Sequence, residues 1–277
     1  MKGIVVPERE QDFTADPVEL FFDLAYVFAF SRLVYHLLGH ADWAGFGEFV
    51  LLFLMVWIPW TQFTWSVNAV SSSNRTVRAY LLVATVASVP MAGSVPAAFG
   101  DGGVPFAVSQ GVILAMGLLV MITGLPRGSV EQRSIIEYSI PNWVAIVVIV
   151  AGSFAPEGSR ALLWSLGLAI IVAGTLRAGR SEWIIRPRHF AERHGLIVII
   201  ALGELIVALG IAVVASLTDD DDAGLSSSTL TALVLAGVFA CLLWWGYFDR
   251  PLPALEHRHG QHVDGFARGR FARDVYT

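Results

Sequence analysis

The sequence predicts an all-α, polytopic transmembrane helical bundle of about eight spans, with both termini cytoplasmic. Three observations predict it. The first is composition. The 277 residues are 55% hydrophobic and only 15% charged, with a mean hydropathy of +0.64. A soluble domain is typically about 45–50% apolar and about 25% charged, so the main solvent of this chain is lipid. The second is span length. A hydrocarbon core about 30 Å thick needs roughly 20 apolar residues per helix, and eight segments meet that demand, near 18–38, 49–67, 79–98, 104–124, 135–153, 161–177, 192–216 and 229–248. The third is the distribution of arginine. Alternate connections carry Arg75 and Arg78, then Arg127 and Arg133, then Arg180, Arg186 and Arg188, and the C-terminal tail adds Arg250, Arg258, Arg268, Arg270 and Arg273. The opposite connections hold Arg160 alone, together with Asp42, Asp101 and the run Asp219 to Asp222. Cationic residues accumulate on the cytoplasmic side, so both ends are placed there, in agreement with an even number of spans.

Each span has its own sequence logic. The first is preceded by Glu8, Glu10, Asp12 and Asp16 and carries charges within it, which distinguishes it from a cleavable signal peptide. The second is rich in tryptophan (Trp57, Trp60, Trp65), read as interface or packing residues. The third ends in VPMAGSVPAAF, so Pro90 and Pro96 are expected to kink it or end it early. The fourth is uninterrupted. In the fifth, Pro141 is expected one turn from the start. The sixth is the shortest. The seventh is the most apolar and carries Gly195, Gly203 and Gly210, which give another helix room to approach. The eighth ends at Asp249, a helix cap beside Arg250. Around this domain, 18–250, lie a cytoplasmic arm, 1–17, and a cytoplasmic tail, 251–277, in which His257, His259 and His262 read as a solvated run. No segment outside the spans is long enough for a domain of its own.

Several function classes are set aside. A net charge of −5 offers no basic surface for nucleic acid. One cysteine, Cys241, allows neither an internal disulfide nor a multi-cysteine metal site. No P-loop, dinucleotide fingerprint, nucleophile elbow or HExxH is present. No cofactor or metal site is expected, and the partners are membrane lipid, an ion or small molecule of unspecified identity, and a second copy in a homo-oligomer.

The chemistry-bearing residues are the ionisable ones at membrane depth, which cost about 2.5–3.5 kcal/mol or more to insert. Span one has Glu19, Asp23, Arg32 and His36. Glu19, Asp23, Tyr26 and Phe30 fall on one helical face, and Arg32 lies opposite Asp23. Glu19 and Asp23 either cap the helix start, where the dipole favours anions, or form part of an ionisable path. Arg32 either belongs to that path or snorkels to the outer interface. The stretch HFAERHGLIVIIALGELIVALG, 189–210, places His189, Glu192, Arg193 and His194 at a cytoplasmic mouth and Glu204 about 16 Å deeper, near mid-membrane. His189, Arg193, Ile200, Glu204 and Val207 project to one side. Without a partner Glu204 is expected to be protonated, since desolvation disfavours charge; with an arginine or histidine from another span it ionises. The spacing His189-x-x-Glu192-Arg193-His194 is one residue off that of inverted zincins, and its histidines diverge by about 140° on a helix. Gln62, Asn68, Gln110, Glu137 and Asn142 read as buried interhelical glue.

PVELFFDLAYVFAFSRLVYHL at 17–37 and RHFAERHGLIVIIALGELIVALG at 188–210 resemble the two signatures of the bacterial low temperature requirement A proteins, and LWWGYFDR at 243–250 and RGRFARDVYT at 268–277 are similar to them as well. The resemblance implies a multi-pass protein of the bacterial inner membrane, from a family named for a growth requirement in the cold. It carries family motif positions onto Glu19, Phe21, Phe22 and Asp23, and onto His189, Glu192, Arg193, His194, Gly195, Gly203 and Glu204. Leu205 departs from the pattern, which has a small polar residue there, and family members typically continue into further spans. Three functions are carried forward. The foremost is a transporter- or channel-like protein with Glu19, Asp23, Arg32 and Glu204 in an ionisable path. The others are a structural or cold-adaptation membrane protein, and an intramembrane enzyme acting on a lipid-like substrate.

Overall fold

A computed structural model describes residues 15–70, 74–124, 130–178, 187–218 and 226–249. All of its regular structure is helical: α1 (Pro17–Gly39), α2 (Trp43–Ala69), α3 (Arg75–Ser94), α4 (Gly103–Thr123), α5 (Val130–Ser153), α6 (Glu157–Ala178), α7 (Pro187–Thr218) and α8 (Ser227–Phe248), with a short 3-10 turn over Val95–Ala97. Among the described residues there is no strand. The aspartate run 219–222, Arg127, Arg180 and Arg186, and the histidines beyond Arg250 lie outside the described residues.

Seven helices, α2 to α8, are long and apolar enough to cross a membrane. The predicted eighth, α1, is set apart by its four ionisable residues, yet it is central: it packs against α2, α3 and α7. Around it α3 packs on α4, α4 on both α2 and α5, and α5 on α6. The resulting core is aromatic and aliphatic, with Trp60, Phe63, Phe106, Ile149 and Trp164 fully buried. Close approach is built from glycine: a Cβ at Gly167 would stand 2.5 Å from Ile149 Cγ1, and one at Gly174 would stand 2.7 Å from Pro141 Cγ. Gln110 Nε2 donates to the Met55 carbonyl, and Ser66 Oγ donates to the Gly117 carbonyl at 3.2 Å, so polar glue joins α2 to α4. Asn142 instead bonds back to Tyr138 O within its own helix at 2.8 Å.

Three expectations are corrected. Pro141 is eleven residues into α5, not one turn, because that helix starts at Val130. Glu137 is exposed, because that side of α5 faces outward. Gly203 and Gly210 meet no neighbouring helix: a Cβ at either would find nothing within 4 Å. The cause is the position of the last helix pair. In the apolar 18-residue stretch of α4, 61% of the residues are buried, whereas in the corresponding stretches of α7 and α8 only 6% are. Pro96 acts as expected, since α3 ends at Ser94 and yields to a 3-10 turn that holds it, whereas Pro90 lies inside α3 and does not end it.

The outer face of α2 carries a ladder of rings one turn apart. Centroid separations run 6.4 Å from Trp43 to Phe46, 6.3 Å to Phe49, 6.3 Å to Phe53, 6.0 Å to Trp57 and 4.9 Å to Trp60. Phe30 of α1 leans on it, 6.0 Å from Phe53 and 6.1 Å from Trp57.

Candidate functional site

The start of α1 is fastened by its own residues. Asp16 is the N-cap: its carboxylate accepts from Val18 N at 3.2 Å, and Glu19 Oε1 accepts from Asp16 N at 3.3 Å, which closes a capping box, with Pro17 pre-set for the first turn. Arg78 of α3 donates to Asp16 Oδ2 at 2.6 Å. Capping is therefore the work of Asp16 with Glu19 in support, and Asp23, a turn further on, takes no part in it.

The second oxygen of Glu19 turns to α7. Glu19 Oε2 accepts from Arg193 Nη1 at 2.6 Å and lies 3.2 Å from His189 Nε2. Arg193 Nη2 donates to Asp23 Oδ1 at 2.6 Å, and Trp60 Nε1 donates to the same oxygen at 2.7 Å. One guanidinium thus spans two carboxylates, and the Glu19, Asp23, His189 and Arg193 side chains are fully buried. Helical spacing makes this possible. Glu19 and Asp23 are four residues apart on α1, as are His189 and Arg193 on α7, so two pairs of stacked side chains meet across one helix–helix contact. Neighbouring residues steady it. Ala15 N donates to Glu192 Oε2 at 3.2 Å. His194 Nδ1 donates to Phe190 O at 2.8 Å; because a carbonyl can only accept, Nδ1 carries the hydrogen and Nε2 of the neutral ring is an acceptor. That ring stands 5.0 Å from Trp60, edge-on, and 4.3 Å from Phe190. Asp23 Oδ2, Tyr26 Oη, Arg193 Nε and His194 Nε2 are buried without a hydrogen-bond partner.

The structure joins Glu19, Asp23, His189 and Arg193, which the sequence assigned to two separate groups, and it seats Glu192 and His194 at their edge. It does not bring Arg32 or Glu204 to them. The Arg32 guanidinium lies over the Tyr35 ring at 4.3 Å and near Phe28 at 5.9 Å. Glu204 is half-buried, and among the described residues no hydrogen bond or ion pair involves it. Trp60 is the partner that sequence reasoning missed; a tryptophan among several in an apolar span carries no mark of its hydrogen bond. No group of three or more His, Cys, Asp or Glu side chains among the described residues is placed to hold a metal ion.

At the other end of the bundle stands a second buried arginine. Arg160 of α6 donates to three carbonyls: Ala98 at 3.0 Å, Gly100 at 2.7 Å and Ser153 at 3.2 Å. Near the same end His36 Nε2 meets Glu48 Oε2 at 3.1 Å.

Helices of this length and apolarity, packed around a buried ionic contact, define a multi-pass helical membrane protein. Residues 14–277 match the family described as bacterial low temperature requirement A protein, and the chain belongs to that family. It is 28% identical over 241 residues to an uncharacterized protein of Rhizobium meliloti (strain 1021), a match covering 83% of this chain and 57% of that protein. The chain therefore spans little more than half the length of this curated relative. No solved structure matches.

Proposed function

We propose that the protein moves protons or small ions across the bacterial inner membrane, with the α1–α7 network as its titratable element. One observation carries the reading: two fully buried carboxylates share a single arginine, with His189 beside them. Arginine does not deprotonate in proteins. Two carboxylates set against one guanidinium leave one formal negative charge over, which a proton or a small cation can balance. Ionisable residues inside a membrane mark proton and ion pathways. Glu204, about 16 Å further along α7 from Arg193, supplies the next carboxyl. The test is flux in liposomes holding the purified protein and an internal pH dye. Wild type is expected to conduct, and Glu19→Gln and Glu204→Gln to reduce flux at least about tenfold, the cost of losing one relay group. Full flux in Glu204→Gln removes Glu204 from the path; absence of proton, sodium and potassium flux in wild type overturns the reading.

The complete burial of the network favours a second reading, a structural or cold-adaptation membrane protein in which the charges lock α7 to α1. It requires that every charge substitution lower stability and alter nothing else.

A further inference from the structure

We infer that the outward face of α1 is a binding site for an anionic phospholipid, with Arg32 and Tyr35 holding its phosphate and Phe28, Leu24 and Phe21 carrying an acyl chain. The inference starts from the four ionisable residues that the sequence places on this helix. Three of them are buried and partnered inside the protein: Glu19 and Asp23 by Arg193, at 2.6 Å each, and His36 by Glu48, at 3.1 Å. Arg32 is the fourth, and it lies on the other side. It shares a stripe with Phe21, Leu24, Phe28 and Tyr35, residues that fall within about 80° of one another at 100° per residue. Those four are between 41% and 59% exposed, and Arg32 is half-buried. On the opposite face Phe22, Tyr26 and Leu33 are buried. The stripe is the side of α1 that meets lipid, and Arg32 is its one charge.

The guanidinium selects the head group. Its central carbon lies 4.3 Å from the Tyr35 ring centroid and 5.9 Å from that of Phe28, so two rings support its charge. Neither ring accepts an ordinary hydrogen bond. Among the described residues no hydrogen bond or ion pair involves Arg32, which leaves its five N–H donors to an acceptor brought by a partner. That partner must carry negative charge and oxygen acceptors into an apolar setting. The phosphate of a phospholipid does both, in a geometry that a guanidinium meets with two parallel bonds. The Tyr35 hydroxyl adds a donor on the same stripe. Depth agrees: seven residues, about 10 Å of rise, separate Arg32 from the end of α1 at Gly39, and a long cationic side chain covers such a distance to the headgroup level. Two acid side chains of that end are engaged elsewhere, Glu48 with His36 and Asp42 Oδ1 with Gly45 N at 2.7 Å. A zwitterionic head adds an ammonium that the arginine repels; an anionic head does not. The acyl chain anchors the ligand along Phe28, Leu24 and Phe21, which a free anion cannot use.

This site stands apart from the ion-moving reading: absence of flux leaves it intact. The test puts a reporter on the acyl-chain path. The full chain carrying Leu24→Cys and Cys241→Ser is labelled with bimane and placed in vesicles of phosphatidylglycerol and phosphatidylcholine in equal parts, with bromine on the chains of one lipid at a time. Bromine quenches the label on contact. Phosphatidylglycerol is expected beside position 24 with about fivefold preference, the worth of one arginine near anionic lipid. The same label through Val234→Cys, at an exposed position of α8, a helix with no charged residue, should show no preference. Arg32→Gln should bring the two lipids to near parity at position 24, whereas Arg32→Lys, which keeps the charge, should retain about threefold or more. Equal quenching by the two lipids at position 24 in the otherwise unaltered chain overturns the inference, as does a preference that survives Arg32→Gln. A preference that excess inorganic phosphate removes overturns it too, because the occupant is then a free anion.

Discussion

The two arginines buried among the described residues are solvated in opposite ways. Arg193 is held by carboxylates, Glu19 and Asp23, across α1 and α7. Arg160 is held by backbone carbonyls of Ala98, Gly100 and Ser153. Carbonyl dipoles do not titrate, so Arg160 carries a permanent charge in a permanent shell and ties the α3–α4 connection to the end of α5. Carboxylates are ionisable, so the shell of Arg193 is of the other chemical kind. One end of the bundle is built as a fixed brace and the other as a contact whose charge can change.

The comparison is tested most severely at Arg193. Arg193→Met leaves two buried carboxylates facing each other, and a broken buried ion pair costs about 3–5 kcal/mol; thermal unfolding in detergent should show the folded fraction largely lost. The triple variant Glu19→Gln, Asp23→Asn, Arg193→Met removes charge from both sides and should recover most of that stability, since neutral replacement of a buried ion network is often tolerated, while proton flux stays lost. Next comes Arg160→Met, which strips donors from three carbonyls and should cost about 2 kcal/mol with flux unchanged; altered flux would erase the distinction between the two ends. Gly103→Ala probes the brace sterically. A Cβ there would stand 2.6 Å from the Arg160 guanidinium carbon and 2.8 Å from Ala98 O, so about 1–2 kcal/mol of overpacking is expected from a melting curve. The smallest effect belongs to Arg78→Gln. Its pair with Asp16 is half exposed on the arginine side, and such surface bridges are worth under about 1 kcal/mol; a larger loss would make the capped start of α1 part of the network itself.

Much of the fold is legible in the sequence because span length and hydropathy are one-dimensional properties. The expected seventh span, 192–216, lies within Pro187–Thr218, and the fourth, 104–124, differs from Gly103–Thr123 by a residue at each end. Boundaries slip where the apolar run does not mark them: α5 starts five residues before its expected 135. The site is legible as residue types and unreadable as pairs. Glu19 and Arg193 are 174 positions apart, and nothing in either stretch names the other. Proximity depends on which helices pack together, a three-dimensional fact set by glycine clearances and ring shapes. Glu204 shows the converse: its place eleven residues beyond Arg193 follows from counting, but its having no hydrogen bond or ion pair among the described residues does not.

The thinly covered outer part of α7 has a mechanical side. Helix α7 is attached over its first four turns, by the bonds of His189, Glu192 and Arg193 and by Ile197, Val198, Ile200 and Ala201 packed on the core, and its remaining residues reach about 25 Å further. A stiff rod pinned at one end is a lever. A tilt of about 10° at the pin displaces the far tip by about 4 Å over that length. A bond remade on the ångström scale in the pin, were it to tilt the rod, would move the far tip by several times as much.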